Sequence, residues 1–140
     1  MNDSTFASSP AAVGDIVTAF IPYTEGASIG GKVRPCLVTA IQQCFEGVRL
    51  TVAYGTSQTN KGANHPWEFS IGRVPEVGPV MADASLTSAT DFNLRLCYVI
   101  WAHKSRRIGR VHPSIYGRLV RCADEAIRRG ITKVDLTSAP

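Results

Sequence analysis

Two cations precede an apolar segment in the stretch Gly31-Lys32-Val33-Arg34-Pro35-Cys36-Leu37-Val38. Pro35 fixes its own φ and restricts Arg34 to an extended backbone, so Arg34 cannot begin a helix. The apolar residues that follow predict a buried strand, which would hold the Arg34 guanidinium at the root of a rigid element. A planar guanidinium binds two phosphate oxygens at once. The stretch is therefore typical of a site that handles phosphate, although Arg34 could instead form a structural ion pair at the end of a strand.

A second polar group follows the next predicted strand, the β-branched segment 48–54, which Gly55 ends. Its members are Thr56, Ser57, Gln58, Lys61 and His65. If segments 35–43 and 48–54 form an antiparallel hairpin, the beginning of the first and the end of the second lie at the same end of the sheet. Lys32 and Arg34 would then lie close to the two hydroxyls. The alternative is that the hydroxyls belong to a plain turn that closes the strand.

Cations and hydroxyls in this arrangement suit a phosphodiester. Cations offset the charge that grows on the phosphoryl oxygens, and hydroxyls and backbone N–H groups position the phosphate. RNA brings its own nucleophile, the 2′-OH, so a site that orients this oxygen needs neither a metal nor a cofactor. Arg34 stays protonated and is a poor general base, but it can donate to the leaving oxygen. His65 could act as the base, although a loop histidine before a proline is more often a bystander.

The remaining segments predict a small β protein that ends in a helix. Polar and glycine-rich turns separate five segments with the composition of strands, at 13–23, 35–43, 48–54, 67–71 and 94–101. Residues 114–129 repeat apolar side chains at helical spacing, with Pro113 at the first helical turn and Gly130 past the end. We therefore predict a mainly β fold with a C-terminal helix, built as a small antiparallel barrel.

Length, hydropathy and charge limit the class of protein. The 140 residues predict one domain over 13–130, between a flexible leader at 1–12 and a loose tail at 131–140. No apolar run is long enough for a membrane span and no signal peptide is apparent, so we expect a cytoplasmic protein. Residues 95–140 carry ten Lys/Arg and three Asp/Glu, whereas residues 1–94 carry five and eight. The basic half favours a polyanionic partner.

The four cysteines, at positions 36, 44, 97 and 122, include no Cys-x-x-Cys pair. A zinc site is therefore not predicted. Cys36, Cys97 and Cys122 stand at apolar positions and are predicted to be core residues in a reducing compartment. Nothing in the sequence marks any of these thiols as activated, so thiol catalysis is not predicted.

The order of the motifs resembles the MazF/PemK family of toxin ribonucleases, the mRNA interferases of toxin–antitoxin pairs. The resemblance covers most of residues 13–130 and includes the stretch that begins at Gly31. The other matching segments are Gly14-Asp15-Ile16-Val17, Thr56-Ser57-Gln58 with Lys61-Gly62, Pro66-Trp67-Glu68-Phe69, Met81-Ala82-Asp83 and Ile108-Gly109-Arg110-Val111. Each motif is short, and their common order makes the match specific.

The resemblance implies an SH3-like barrel, a homodimer, and cleavage of single-stranded RNA without a metal or cofactor. The products would be a cyclic phosphate and a 5′-hydroxyl, and a cognate antitoxin protein would cover the same groove. By the resemblance, Arg34 is the catalytic arginine and Thr56 the catalytic threonine, with Ser57 beside it. The expected RNA contacts are Lys32, Gln58, Lys61 and His65.

Two other functions stay open at this stage. The same barrel could carry a toxin without nuclease activity that inhibits a topoisomerase. Alternatively, the basic region 104–129 could bind nucleic acid without cutting it. Trp67 and Tyr54 are candidate platforms for stacked bases, although both are more typical of a barrel core.

Overall fold

The computed structural model describes residues 10–25, 28–57, 65–72 and 78–137. Its strands are β1 (Asp15–Glu25), β2 (Ser28–Cys44), β3 (Gly47–Thr56), β4 (Glu68–Ile71), β5 (Thr90–Asn93), β6 (Leu96–Trp101), β7 (Arg106–Arg110) and β8 (Thr132–Asp135). The α-helices are α1 (Gly78–Ala84) and α2 (Tyr116–Arg129), and short 3₁₀ turns occupy Ala102–Lys104 and Pro113–Ile115. The N-terminal leader up to residue 9 and the last three residues lie outside the described ranges.

The strands form one curled half-barrel sheet with the order β4-β5-β3-β2-β1-β7, and β6 joins β3 to β8. The strand pairs are antiparallel except for β6 with β8. The predicted mainly β fold, a small antiparallel barrel with a C-terminal helix, is confirmed. Within the described ranges, no helix combines the length and the apolar composition needed to cross a membrane.

The hairpin of β2 and β3 is the part of the sheet that the sequence predicts best. The two strands pair from Cys36 opposite Tyr54 to Cys44 opposite Gly47. A register shift after Val38 shows a β-bulge in β2. The β-branched and apolar residues of both strands alternate between two buried faces, which fixes this register.

The hairpin of β1 and β2 is longer than predicted. Strand β1 continues past the predicted end at residue 23 to Glu25, and β2 begins at Ser28 rather than at residue 35, so that Pro22 lies opposite Gly31. Since β7 pairs only with residues 15–18 of β1, the rest of β1 is an edge strand on that side, where proline is tolerated. Lys32 and Arg34 therefore lie within a paired strand rather than in a loop, opposite Ile21 and Ala19.

Four elements were not predicted: α1, β5, β7 and β8. The basic region 104–129 contains β7, whose Arg107 forms an ion pair with Asp15 at 2.9 Å. The expectation of a loose tail is wrong over Thr132–Asp135, because these residues form β8 beside β6. The edge strands β7 and β8 are short and polar, so they lack the alternation that reveals a strand in sequence.

Buried side chains form a core on each face of the sheet. On the helix face, Ile16, Leu37 and Ala53 pack with Phe69, Phe92 and the buried stripe of α2. On the opposite face, Val17, Cys36 and Val52 pack with Leu50 and Ile100. Because side chains alternate along a strand, Pro35 and Gly55 belong to the helix face, whereas Arg34 and Thr56 belong to the opposite face.

Helix α2 matches the prediction closely. Leu119, Cys122 and Ala126 are its buried residues, and Gly130 follows its end with a φ of +95°. A left-handed residue at this position is favourable for glycine, which has no Cβ. Ile127 does not widen the apolar stripe as expected, because it is 67% exposed.

Candidate functional site

The structure places Arg34 and Thr56 at the same end of the β2–β3 pair. The ladder between the two strands ends where Cys36 faces Tyr54. Arg34 lies two residues before Cys36, and Thr56 lies two residues after Tyr54. Both side chains belong to the same face of the sheet, since they are an even number of residues from these partners.

Strand β3 changes partner at its end. Gly55 and Thr56 pair with Phe92 and Asp91 of β5. A Cβ on Gly55 would lie 2.5 Å from Thr90 Cγ2 and 2.8 Å from Phe92 Cε1, so only glycine allows β5 to approach this closely. The glycine thus directs the end of β3, and with it Thr56, toward β5.

A pocket of about 310 Å³ opens beside this end of β2 and β3. The described residues that line it include two cations and six hydroxyl side chains, and none of these described residues is a carboxylate. The lining residues are Thr18, Lys32, Val33, Arg34, Pro35, Gly55, Ser57, Ser85, Leu86, Thr87, Ser88, Thr90 and Ile108. This composition favours an anionic ligand, because no negative charge in the lining opposes it. Three of the predicted site residues, Lys32, Arg34 and Ser57, therefore meet at one pocket.

The guanidinium of Arg34 lies over the ring of Tyr54, with Cζ 5.0 Å from the ring centroid. Among the residues that the structure describes, Arg34 has no carboxylate partner and no side-chain hydrogen bond. The structural ion pair considered from the sequence is therefore not formed within the described chain. Within the described chain, the hydrogen-bond donors of this half-buried guanidinium are therefore unused, and Arg34 is among the residues that line the pocket.

The thiol next to this arginine is in an environment that disfavours the thiolate. Cys36 is buried, and burial raises the pKa of its thiol to about 12, with a smaller opposing effect from Arg34. Burial also raises the pKa of Cys97 and Cys122. All three are free thiols in the core, as predicted. At neutral pH they stay protonated, and only the thiolate is a good nucleophile.

Thr56 does not line the pocket but faces a buried carboxylate. Asp91 is directly opposite Thr56 in the β3–β5 ladder and is only 5% exposed. On its other side Asp91 faces Ser70, whose Oγ donates to Asp91 Oδ1 at 2.6 Å. Thr56, Asp91 and Ser70 thus form a polar row across three strands. The sequence does not predict Asp91 as a site residue, because β5 has only four residues and no alternating pattern that would reveal a strand.

His65 lies away from the pocket. Its ring stacks on Trp67 with the centroids 4.3 Å apart. Trp67 precedes Glu68, which pairs with Asn93 at the end of the β4–β5 ladder that is farther from Ser70 and Asp91. The structure therefore does not bring His65 together with Lys32, Arg34 and Ser57. The predicted RNA contacts Gln58 and Lys61 lie outside the described residues.

No group of three or more His, Cys, Asp or Glu side chains within the described ranges is arranged to hold a metal ion. Comparison with models of known protein families finds no match to this chain, and comparison with curated protein sequences finds none either.

Proposed function

We propose that this protein is a toxin endoribonuclease that cleaves single-stranded RNA, including mRNA, and is neutralised by a cognate antitoxin. It acts in the cytoplasm as a homodimer. The proposal depends on the state of Arg34. This arginine is half-buried, has no carboxylate partner in the described chain, and lines a pocket together with Lys32 and several hydroxyl side chains. The motif order that resembles the MazF/PemK family supports the same conclusion.

In the proposed reaction the 2′-oxygen of a ribose attacks the adjacent phosphorus, and the bond from phosphorus to the 5′-oxygen breaks. Arg34 binds the phosphoryl oxygens through two N–H groups and stabilises the charge that develops on them. It also donates to the departing 5′-oxygen, which leaves as a hydroxyl. Lys32 adds positive charge at the pocket, and the hydroxyl of Ser57, which lines it, positions the phosphate, with Thr56 next to it at the end of β3.

The 2′-OH loses a proton in this reaction, which passes to solvent water, and water returns a proton to Arg34 after the 5′-oxygen has left as a hydroxyl. His65 is a poor choice for the acceptor, because its ring stacks on Trp67 away from the pocket. Asp91 is the carboxylate that the β3–β5 ladder places opposite Thr56. We therefore assign to Asp91 the role of orienting Thr56.

The test is digestion of a long RNA by the purified protein, with Arg34→Ala as the variant and Arg110→Ala as the control. Arg110 is an exposed arginine of β7 that does not line the pocket. Loss of a preorganised donor to a phosphoryl transition state typically lowers the rate by about 10²–10³-fold, so Arg34→Ala should be at least ~100-fold slower. The control should cut at the wild-type rate and leave cyclic phosphate ends. Intact RNA with the wild type, or equal rates for wild type and Arg34→Ala, would refute the proposal.

A nucleic-acid-binding module without nuclease activity is the main alternative, since most of the basic residues lie after residue 94. Several of these cations have partners within the protein. Arg107 pairs with Asp15, and Arg128 and Arg129 pair with Glu125. The basic surface left for a polyanion is therefore smaller than the charge count implies. Binding of RNA that weakens steeply with salt, without any cut product, would favour this alternative.

A toxin that inhibits a topoisomerase would not require Arg34 at the pocket. Growth arrest in bacteria distinguishes a topoisomerase-inhibiting toxin from a nuclease. Arg34→Ala abolishes toxicity if the toxin cuts RNA, and leaves it unchanged if the toxin acts by binding a protein.

A further inference from the structure

The pocket has a second set of lining residues, which come from the segment that joins α1 to β5. This segment is held in place by its own hydrogen bonds. Ser85 Oγ donates to the backbone carbonyl of Ile108, Leu86 N donates to Met81 O at 3.2 Å, and Thr90 Oγ1 donates to Ser88 O at 2.9 Å. These bonds fix the segment against β7 and β5. The pocket therefore has a defined shape on this side.

The hydroxyls of this segment differ in whether they already donate a hydrogen bond within the protein. Those of Ser85 and Thr90 already donate their protons to backbone carbonyls. Thr87 and Ser88 are exposed, and their side chains have no hydrogen-bond partner among the described residues. Thr87 and Ser88 can therefore both donate to and accept from a ligand in the pocket.

The pocket also offers apolar surface and a limited volume. Leu86 and Ile108 are aliphatic residues in the same lining as Thr87, Ser88 and the cations Lys32 and Arg34. The volume of about 310 Å³ is at the lower end of the range of about 300–1,000 Å³ that small-molecule sites occupy. One nucleotide fits such a space, and a longer piece of RNA does not.

We propose that this pocket is a subsite for a single nucleotide of the RNA, and that Thr87 and Ser88 determine which base it accepts. The phosphate lies against Lys32 and Arg34, and the ribose and base lie against Leu86 and Ile108. The hydroxyls of Thr87 and Ser88 bond to the edge of the base, which is how proteins read the sequence of single-stranded RNA. This inference rests on the proposed function for its ligand and adds the residues that select the sequence.

The test measures binding of the four nucleoside 3′-monophosphates and of inorganic phosphate by NMR titration of backbone amides. The variants are Thr87→Ala, Ser88→Ala and the double variant, with Thr132→Ala as the control. Thr132 is an exposed threonine of β8 that does not line the pocket. Because the changed residues are exposed, thermal denaturation should show wild-type stability for every variant.

The wild type should bind one of the four nucleotides at least roughly tenfold more tightly than the weakest. Each hydroxyl hydrogen bond is worth a factor of roughly three to ten in affinity, so the double variant should remove most of this preference. Its affinity for inorganic phosphate should stay within about twofold of the wild type, because the phosphate lies against the cations. Thr132→Ala should bind all five ligands as the wild type does.

An unchanged preference in the double variant, or amide shifts located away from Lys32, Ser57 and residues 85–90, would overturn the inference. So would an equal loss of affinity for inorganic phosphate and all four nucleotides, since the hydroxyls would then bind the phosphate and not the base.

The nuclease proposal and the subsite proposal fail in different ways. If the wild type binds a preferred nucleotide here but never cuts RNA, the nuclease is wrong and the subsite stands. If the double variant cuts RNA at the wild-type sequences with the wild-type preference, the subsite is wrong and the nuclease stands.

Discussion

Arg34 and Arg95 each hold the guanidinium over an aromatic ring, but they differ in the hydrogen bonds that the guanidinium makes. Arg34 Cζ lies 5.0 Å from the centroid of Tyr54, and Arg95 Cζ lies 5.0 Å from that of Trp67. Arg95 also donates from Nε to Gly130 O at 2.9 Å and from Nη2 to Arg129 O at 3.0 Å. These acceptors are carbonyls at the end of α2, which otherwise lack intrahelical partners. Arg95 is thus a structural residue, whereas the Arg34 donors are left for a ligand.

The other arginines that contact rings in the described chain resemble Arg95. Arg49 donates to Thr137 and Cys44, Arg118 donates to Ser70 O, and Arg129 pairs with Glu125. Among the described arginines that contact an aromatic ring, Arg34 alone keeps its guanidinium donors unused. Stacking on a ring orients a guanidinium, but the hydrogen bonds around it decide whether it serves the fold or a ligand.

The largest effect is expected from Arg34→Lys. Lysine keeps the positive charge but loses the planar fork and the stacking on Tyr54. If bidentate binding of the phosphate is what matters, RNA cleavage should fall by about 100-fold, nearly as much as with alanine. The stability should hardly change, because no hydrogen bond within the described protein is lost. Single-turnover cleavage rates and melting temperatures measure the two effects.

Nearly full activity in the lysine variant would contradict this interpretation. It would mean that the site needs only a charge, and that the contact with Tyr54 has no part in catalysis. Tyr54→Phe is the matched control, since it keeps the ring under the guanidinium and removes only the hydroxyl.

Arg95→Ala should show the reverse pattern. The variant loses two charged hydrogen bonds and the contact with Trp67, but water can reach the exposed carbonyls that remain. We therefore expect a loss of about 1–2 kcal/mol in the free energy of unfolding, which lowers the melting temperature by several degrees. RNA cleavage well below that temperature should be unchanged. Arg121→Ala, an exposed change on helix α2, should leave both quantities as in the wild type.

If Arg95→Ala instead lowers cleavage at a temperature where the protein is folded, then the Trp67 region contacts the RNA. Arg95 would then contribute to RNA cleavage as well as to stability, and the two arginines would no longer have separate roles. Chemical denaturation of the same samples separates this result from partial unfolding.

The sequence predicts the elements that depend on local patterns. The β-branched segment 48–54 and the residues after Pro35 form the central hairpin, because their alternation is fixed by two buried faces. Helix α2 follows from its apolar spacing and from Gly130 at its end. The hairpin places Arg34 and Thr56 at one end of the sheet, so that part of the candidate site follows from the sequence.

The rest of the site depends on tertiary contacts that no local sequence pattern predicts. Gly55 lets β3 leave β2 for β5, and the reason becomes visible only when Thr90 and Phe92 are seen against it. The segment with Thr87 and Ser88 reaches the pocket because Ser85 is bonded to β7, a strand too short and polar to predict. Asp91 and the second set of pocket residues were missed for the same reason.

Lys32→Ala should have a smaller effect than either arginine change. Lys32 is exposed and lines the pocket, so it acts mainly through its charge. Removing one phosphate contact should lower the salt dependence of RNA binding, the slope of log K against log salt, by about 0.7 for single-stranded RNA. Binding of a 2′-O-methyl RNA, which lacks the nucleophile, measures this slope without cleavage. Lys104→Ala, which removes an exposed lysine outside this pocket, is the control, and an equal slope change there would argue against a specific contact.

The smallest effect concerns the ion pairs that occupy the structural arginines. Hydrogen bonds from Arg128 and then from Arg129 hold the pKa of Glu125 below its ordinary value. A carboxyl whose pKa is lower in the folded state stabilises the protein above the unfolded pKa, and this contribution is lost as the pH falls through the folded pKa. Wild type should therefore lose more stability than Glu125→Gln between pH 6 and the acid side of the glutamate pKa. The difference should be smaller than the effect of Arg95→Ala and should shrink in high salt, because the ion pairs are exposed. Identical pH profiles for the two proteins would show that Glu125 does not hold Arg129 in place over Trp67. The hydrogen-bond donors of Arg129 would then be unused, as those of Arg34 are. The hydrogen bonds seen in the structure would no longer distinguish a structural arginine from one that is free to bind a phosphate.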